Sequence, residues 1–315
     1  MNAFFRNAMV YRLSSDWTLS TEALAEQLAR LQFNPGTSVQ TLSIGWVPAL
    51  EHGSLAHVVG GQILLTLRVE KKLLPASVVN QVARSRAQEA EERQGYKPRR
   101  KQMKEIKESV TDELIPKAFS IFRDTRVWID PVNRWLLIDT TAAAKAEEVI
   151  GLLSKSIDSF PLQQVQVLHS PAAAMTGWLA ADEAPAGFTI DQDTELRATG
   201  DSRAAIRYVR QSIEAAEVRK HIDAGKQCTR LAMTWRDRIS FVLTETLTLK
   251  RIAPLDVMRE GGESEDGDAA ARFNSDFVMM AGELSRLLAD LLGALGLDVE
   301  AAAKGEGAAA QKLAA

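Results

Sequence analysis

The 315-residue chain has a single cysteine, Cys228, which leaves no partner for an intramolecular disulfide and disfavours a CxxC metal site. Its 19 glycines and 10 prolines are too few for a collagen-like or a disordered chain. No apolar run approaches the roughly eighteen residues a membrane helix needs. The stretch Met1 to Leu13 carries Arg6 and Arg12 among its apolar residues, so it has no signal-peptide core. The motifs GxGxxG, GxxxxGK[ST] and GxSxG are also missing, which withdraws support from nucleotide-phosphate cradles and hydrolase elbows. These absences lead to the expectation of a soluble, cytoplasmic protein. With 46% hydrophobic residues it has enough apolar surface for one large domain or a few small lobes.

The formal charge of −3 conceals an uneven distribution. Lys97, Arg99, Arg100, Lys101, Lys104 and Lys107 share one short stretch with a single acid, Glu105. A second stretch holds Arg203, Arg207, Arg210, Arg219, Lys220, Lys226 and Arg230 against Glu214, Glu217 and Asp223. Between Asp256 and Asp268 the sign reverses, with six acids and only Arg259. Basic stretches of this kind are either solvated faces or surfaces for an anionic polymer.

Periodicity predicts a strand over Met9–Leu13, then a helix from an N-cap at Ser20 to about Leu31. A strand follows over Gln62–Val69. Two polar helices, Ser77–Glu92 and Arg99–Leu114, are separated by Gly95 and Pro98 and read as a helical hairpin inserted between strands. On the second helix Met103, Ile106, Val110 and Leu114 fall on one face, and Arg100, Lys101, Lys104 and Lys107 on one flank. Arg126–Ile129 and Trp135–Asp139 predict a β-hairpin around Asp130-Pro131-Val132-Asn133. Further on come a helix over Ala142–Ile157, a strand over Leu162–Leu168, a short helix over Ala172–Leu179 and a loop over 186–202. A meander over Cys228–Trp235, Ile239–Thr244 and Leu247–Ile252 precedes an apolar-striped helix over Asp276–Leu295. The fold class is α+β, with mixed antiparallel sheets and helices.

Chemistry is sparsely signalled. Glu51-His52 with His57 does not have the spacing of HExxH, and His169 and His221 stand alone. Asp191, Asp193 and Glu195 alternate without the glycine and terminal glutamate of a calcium loop, and read as solvated. Glu70-Lys71-Lys72 ends a strand as the ExK of metal-dependent nucleases does, but no aspartate lies between Asp16 and Asp112 to partner it. Cys228 reads as a buried, inert thiol. For the second basic stretch two arrangements stay open. A helix aligns Arg203, Arg207 and Arg210, whereas a strand aligns only Arg203 and Arg207, and Tyr208 either stacks on bases or packs inward with Ile206. Two basic faces without base-reading motifs favour sequence-independent nucleic-acid binding.

Seven blocks carry a resemblance. NAMVYRL (7–13), GWVPA (45–49), LLPASVVN (73–80), IPKAFSIF (115–122), WIDPVNRWLLID (128–139), HIDAGK (221–226) and RFNSDFVMMAGEL (272–284) follow one another as in the bacterial RdgC family. The resemblance runs to about Gly296. It implies a nucleoid-associated, non-catalytic protein without cofactor or metal that binds double-stranded DNA regardless of sequence. It also implies a two-fold homodimer closed into a ring around the duplex, restraining the RecA recombinase. The implied lobes are a centre (1–74, 117–160 and 229–297), a hairpin tip (75–116) and a base (161–228); the tail (298–315) reads as disordered from its Ala/Gly/Lys/Gln low complexity instead. Phe119 or Phe122, just after the hairpin, is expected at a tip-to-tip contact. The alternative is a protein-interaction module acting directly on RecA, with DNA contact incidental.

Overall fold

The computed structural model describes residues 3–14, 20–200, 204–210, 215–256 and 269–297. The acidic run beyond Asp256, Arg203 and the tail lie outside these residues. Among those described, the chain runs β1 (Ala8–Leu13), α1 (Thr21–Ala29), β2 (Leu42–Val47), β3 (His57–Val59), β4 (Gln62–Lys72), α2 (Ala76–Gln94), α3 (Arg100–Leu114) and β5 (Ser120–Asp130). It continues through β6 (Trp135–Ile138), α4 (Ala143–Ser156), β7 (Leu162–Gln164), α5 (Pro171–Ala181), β8 (Phe188–Ala198) and β9 (Ala205–Tyr208). Helix α6 (Ala215–Asp223), strands β10 (Lys226–Trp235), β11 (Ile239–Thr244) and β12 (Thr248–Pro254), and helix α7 (Ala269–Ala294) complete it.

Several expectations hold with small shifts. The Ser20 hydroxyl accepts the Ala23 amide at 3.2 Å and caps α1. In the turn between β5 and β6, Asp130 Oδ1 accepts the amides of Val132 and Asn133, each at 3.1 Å. Its other oxygen takes the Ser285 hydroxyl at 3.0 Å, tying the turn to α7.

Instead of several sheets, the strands make one twelve-stranded antiparallel sheet. Its main path is β2-β4-β5-β6-β1-β12-β11-β10-β8-β9, with β3 on β4 and β7 on β1. The α2–α3 hairpin leaves the sheet between two directly paired strands, since Lys72 of β4 faces Ser120 of β5. Segment 186–202, expected as a loop, is mostly β8, and the strand expected over Leu162–Leu168 stops at Gln164. Residues 205–208 form a strand, which removes the helical arrangement of Arg207 and Arg210. Strand β2 adds an edge that periodicity does not announce, because Gly45 interrupts it. A Cβ at Gly45 would lie 2.4 Å from Phe33 Cα, so only glycine allows the chain after α1 to lie against this edge.

Two cores sit on opposite sides of the sheet. Trp46, Leu65, Leu67, Val127 and Ile138 pack beneath α1 and α4. Leu231, Met233, Trp235, Phe241 and Leu243 pack on the other side, beneath α5, α6 and α7, which also covers Trp128 and Trp135. Strand β1 feeds both, with Ala8 and Val10 on the α7 side and Met9, Tyr11 and Leu13 on the α1–α4 side. The β8–β12 half therefore keeps one face free of helices, whereas the β2–β6 half carries α1 and α4 on one side and α7 over part of the other. On β8–β12 that open face lies on the α1–α4 side.

Candidate nucleic-acid interface

The hairpin is set by its ends. Gly95, at φ 80°, closes α2 by donating its amide to Glu91 O at 2.8 Å, and Arg99 starts α3 in an extended conformation. Gln102 Nε2 donates to Gln94 Oε1 at 2.9 Å across the two helices. Ala83, Ala87 and Val110 are buried along the seam, and Met103, Ile106 and Leu114 are half-buried. The opposite flank keeps Lys97, Arg99, Arg100, Lys101, Lys104 and Lys107 exposed. Lys104 meets Glu108 at 3.5 Å, a solvated pair that neutralises little. The other five make no ion pair among the described residues. Six cations, mostly uncompensated, thus crowd the turn and outer flank of a projecting hairpin.

A second set gathers on the open face of β8–β12. Glu195 is 7% exposed and collects three arginines from three strands. These are Arg197 of β8 at 2.8 Å, Arg207 of β9 at 3.6 Å and Arg230 of β10 at 3.5 Å. The Thr229 hydroxyl donates to it at 3.1 Å. Burial pushes the Glu195 carboxyl up, but Arg230, Thr229, Arg197 and Arg207 outweigh it and hold the pKa below its ordinary 4.5. Lys250 and Arg251 of β12 border the same hollow, and Asp193 answers Arg251 at 3.4 Å. The expected solvated loop over Asp191, Asp193 and Glu195 is therefore the acidic spine of an arginine-rich strand face.

Of the remaining basic residues, Arg210 borders the adjoining hollow of this face beside Arg251, whereas Arg219, Lys220 and Lys226 do not join the patch. Arg210 sits just past β9 at φ 51°, its amide on Asp193 at 2.9 Å. Arg219 donates to Ala180 O at 2.7 Å and Lys220 is exposed beside it on α6, which packs on the opposite, helix-covered side. Lys226 opens β10 opposite Ala198. Tyr208 is buried with Ile206 in the core beneath α5–α7 and presents no face to a base.

Phe119 is 83% exposed at the hairpin foot, where its carbonyl accepts the Leu73 amide at 2.7 Å. Phe122 is 54% exposed but already occupied, edge-on to Phe33 at 6.3 Å and beneath the Arg68 guanidinium at 5.9 Å. Of the two, Phe119 is the uncommitted aromatic.

The nuclease-like residues are otherwise engaged. Glu70 accepts the Gly36 amide at 2.7 Å, and its bonds with Ser120 and Gly36 lower its pKa. Lys72 Nζ reaches Ala118 O at 3.5 Å. No group of three metal-ligating side chains occurs among the described residues. Cys228 is buried, and burial pushes its thiol up to about 12.

Against this geometry stand the comparisons with known proteins. A family model described as "Putative exonuclease, RdgC" matches residues 3–298. The chain belongs to the RdgC family. A relative in Bordetella parapertussis, named recombination-associated protein RdgC, is 63% identical over 293 residues, covering 93% of this chain and 98% of its own. Others of that name in Janthinobacterium sp. and Burkholderia cenocepacia are 57% and 53% identical, covering 94% of this chain and 99% and 96% of theirs. Membership of RdgC places the chain among recombination-associated proteins. The two descriptions differ on catalysis, the family model's naming an exonuclease and the relatives' naming none. No helix among the described residues is long and apolar enough to cross a membrane.

Proposed function

We propose that this chain binds double-stranded DNA without sequence preference, as a two-fold dimer closed around the duplex, and thereby restrains RecA-dependent recombination in the nucleoid without chemistry of its own. The observation that carries the reading is the uncompensated cationic flank of the α2–α3 hairpin. Mobile, solvated Lys and Arg side chains meet phosphates well and read no bases, so they give affinity without sequence choice. The arginine face of β8–β12 supports it as a second, more rigid set of contacts. Phe119, exposed at the hairpin foot just before β5, suits an isologous contact in which the same patch meets itself across a two-fold axis.

The test is a variant with Lys97, Arg99, Arg100, Lys101 and Lys104 replaced by glutamine. All five are exposed, so thermal unfolding should be unchanged. Duplex affinity near physiological salt should fall more than about tenfold, and the log–log salt slope should flatten by about 0.9 for every phosphate no longer neutralised. Unchanged duplex affinity in the folded variant would remove the hairpin from the interface.

A further inference from the structure

A cavity lies at the foot of the hairpin and shares only Lys107 with the flank that carries the proposed DNA contacts. It is a groove of about 1090 Å³ between α3, α4 and the face of β2, β4 and β5. Its walls carry Lys71, Lys107, Arg123 and Lys145. None of these four makes an ion pair among the described residues. Of the acids lining it, Asp124 is held by Arg68 through two bonds of 2.7 and 2.8 Å, which leaves Glu148 as counter-charge. The floor and rim are aliphatic, with Leu42, Val69, Leu74, Val79 and Ile115. Leu42 is 50% exposed, an open apolar surface beside unpaired cations.

We propose that this groove docks an acidic polypeptide segment of a partner protein, one that alternates carboxylates with aliphatic side chains. The cations would meet the carboxylates while the aliphatic floor takes the apolar side chains. A nucleic acid fits this lining less well. A duplex presents phosphates at its rim and would leave the aliphatic floor wet, and single strands are held by aromatic platforms, of which the groove lining has none. Apolar anchors in a recess ringed by complementary charge are the usual anatomy of a peptide site. The proposal does not depend on DNA binding, since it rests on Lys71, Arg123 and Lys145, which lie outside the hairpin turn.

The experiment titrates the full chain into a fluorescent synthetic peptide alternating aspartate with leucine. Parallel titrations use the asparagine–leucine and aspartate–serine versions and a single-stranded oligonucleotide of equal charge. The groove predicts binding of the aspartate–leucine peptide, weakened about tenfold when either its charge or its apolar side chains are removed. The variant Lys71→Ser/Arg123→Ser/Lys145→Ser should lose about tenfold in peptide affinity and less than twofold in duplex affinity. Leu42→Asp, which keeps every cation, should weaken the peptide to a similar degree. Peptide binding unaltered by both variants would overturn the proposal, as would no peptide binding at all. So would an oligonucleotide that binds more tightly than the peptide and is released by the triple variant, which would make the groove a nucleic-acid site.

Discussion

Glu195 illustrates how one side chain can organise a charged surface. Three arginines on adjacent strands would repel one another and disperse into solvent. A buried carboxylate at their centre holds the guanidinium groups together while leaving a net positive face. The same contacts make it a pH-sensitive element of stability. Its folded-state pKa lies below the ordinary 4.5, so its contribution is present above that value and is lost as pH falls through the folded pKa. In Glu195→Gln this acid-side loss should be smaller than in the parent, a difference read from urea midpoints between neutral pH and pH 3. Parallel acid limbs for the two proteins would show that the arginines gain nothing specific from the carboxylate.

The α2–α3 hairpin is a self-contained insertion. Its strands of origin, β4 and β5, pair continuously up to Lys72 and Ser120, and the Leu73 amide bonds Phe119 O beyond them. Replacing residues 75–117 by a short Gly-containing turn should therefore leave a folded sheet with an ordinary β-hairpin there. The shortened protein should unfold cooperatively but bind duplex DNA more than about tenfold more weakly, as expected when several phosphates are no longer neutralised. Loss of cooperative unfolding would mean that the hairpin supports the sheet, and retained affinity would place the DNA interface elsewhere.

This hairpin is legible in sequence because everything that makes it is local. Its 3.6-residue apolar spacing, the Gly95–Pro98 break and the run from Lys97 to Lys107 lie within one stretch of chain. Strand β8 is not legible in the same way. Its period of two alternates charged Asp191, Asp193, Glu195 and Arg197 with a mixed set of which only Phe188, Thr194 and Leu196 are buried, so it resembles a polar loop. The arginine face it builds draws on β8, β9, β10 and β12, strands far apart in sequence, and a linear count of charges cannot assemble it. The same count wrongly groups Arg219 and Lys220 with Arg207, because a sheet separates them.

For the molecule as a whole, the arrangement of two cores on opposite sides of one sheet explains where function can reside. The β8–β12 half buries one face beneath helices and exposes the other, and the projecting hairpin adds a cationic flank of its own. The cations concentrate on the free surfaces, while the acids of the described residues are largely paired or spread. We propose that these surfaces bind duplex DNA by phosphate neutralisation alone, in a dimer. It is tested most directly by measuring duplex affinity at several salt concentrations for two unrelated sequences, with the mass of the free protein and of the complex determined alongside. Phosphate neutralisation by a dimer gives equal affinities for the two sequences, a steep linear fall of log affinity with log salt, and a dimer mass. Affinity that differs between the sequences, or that is insensitive to salt, would contradict it.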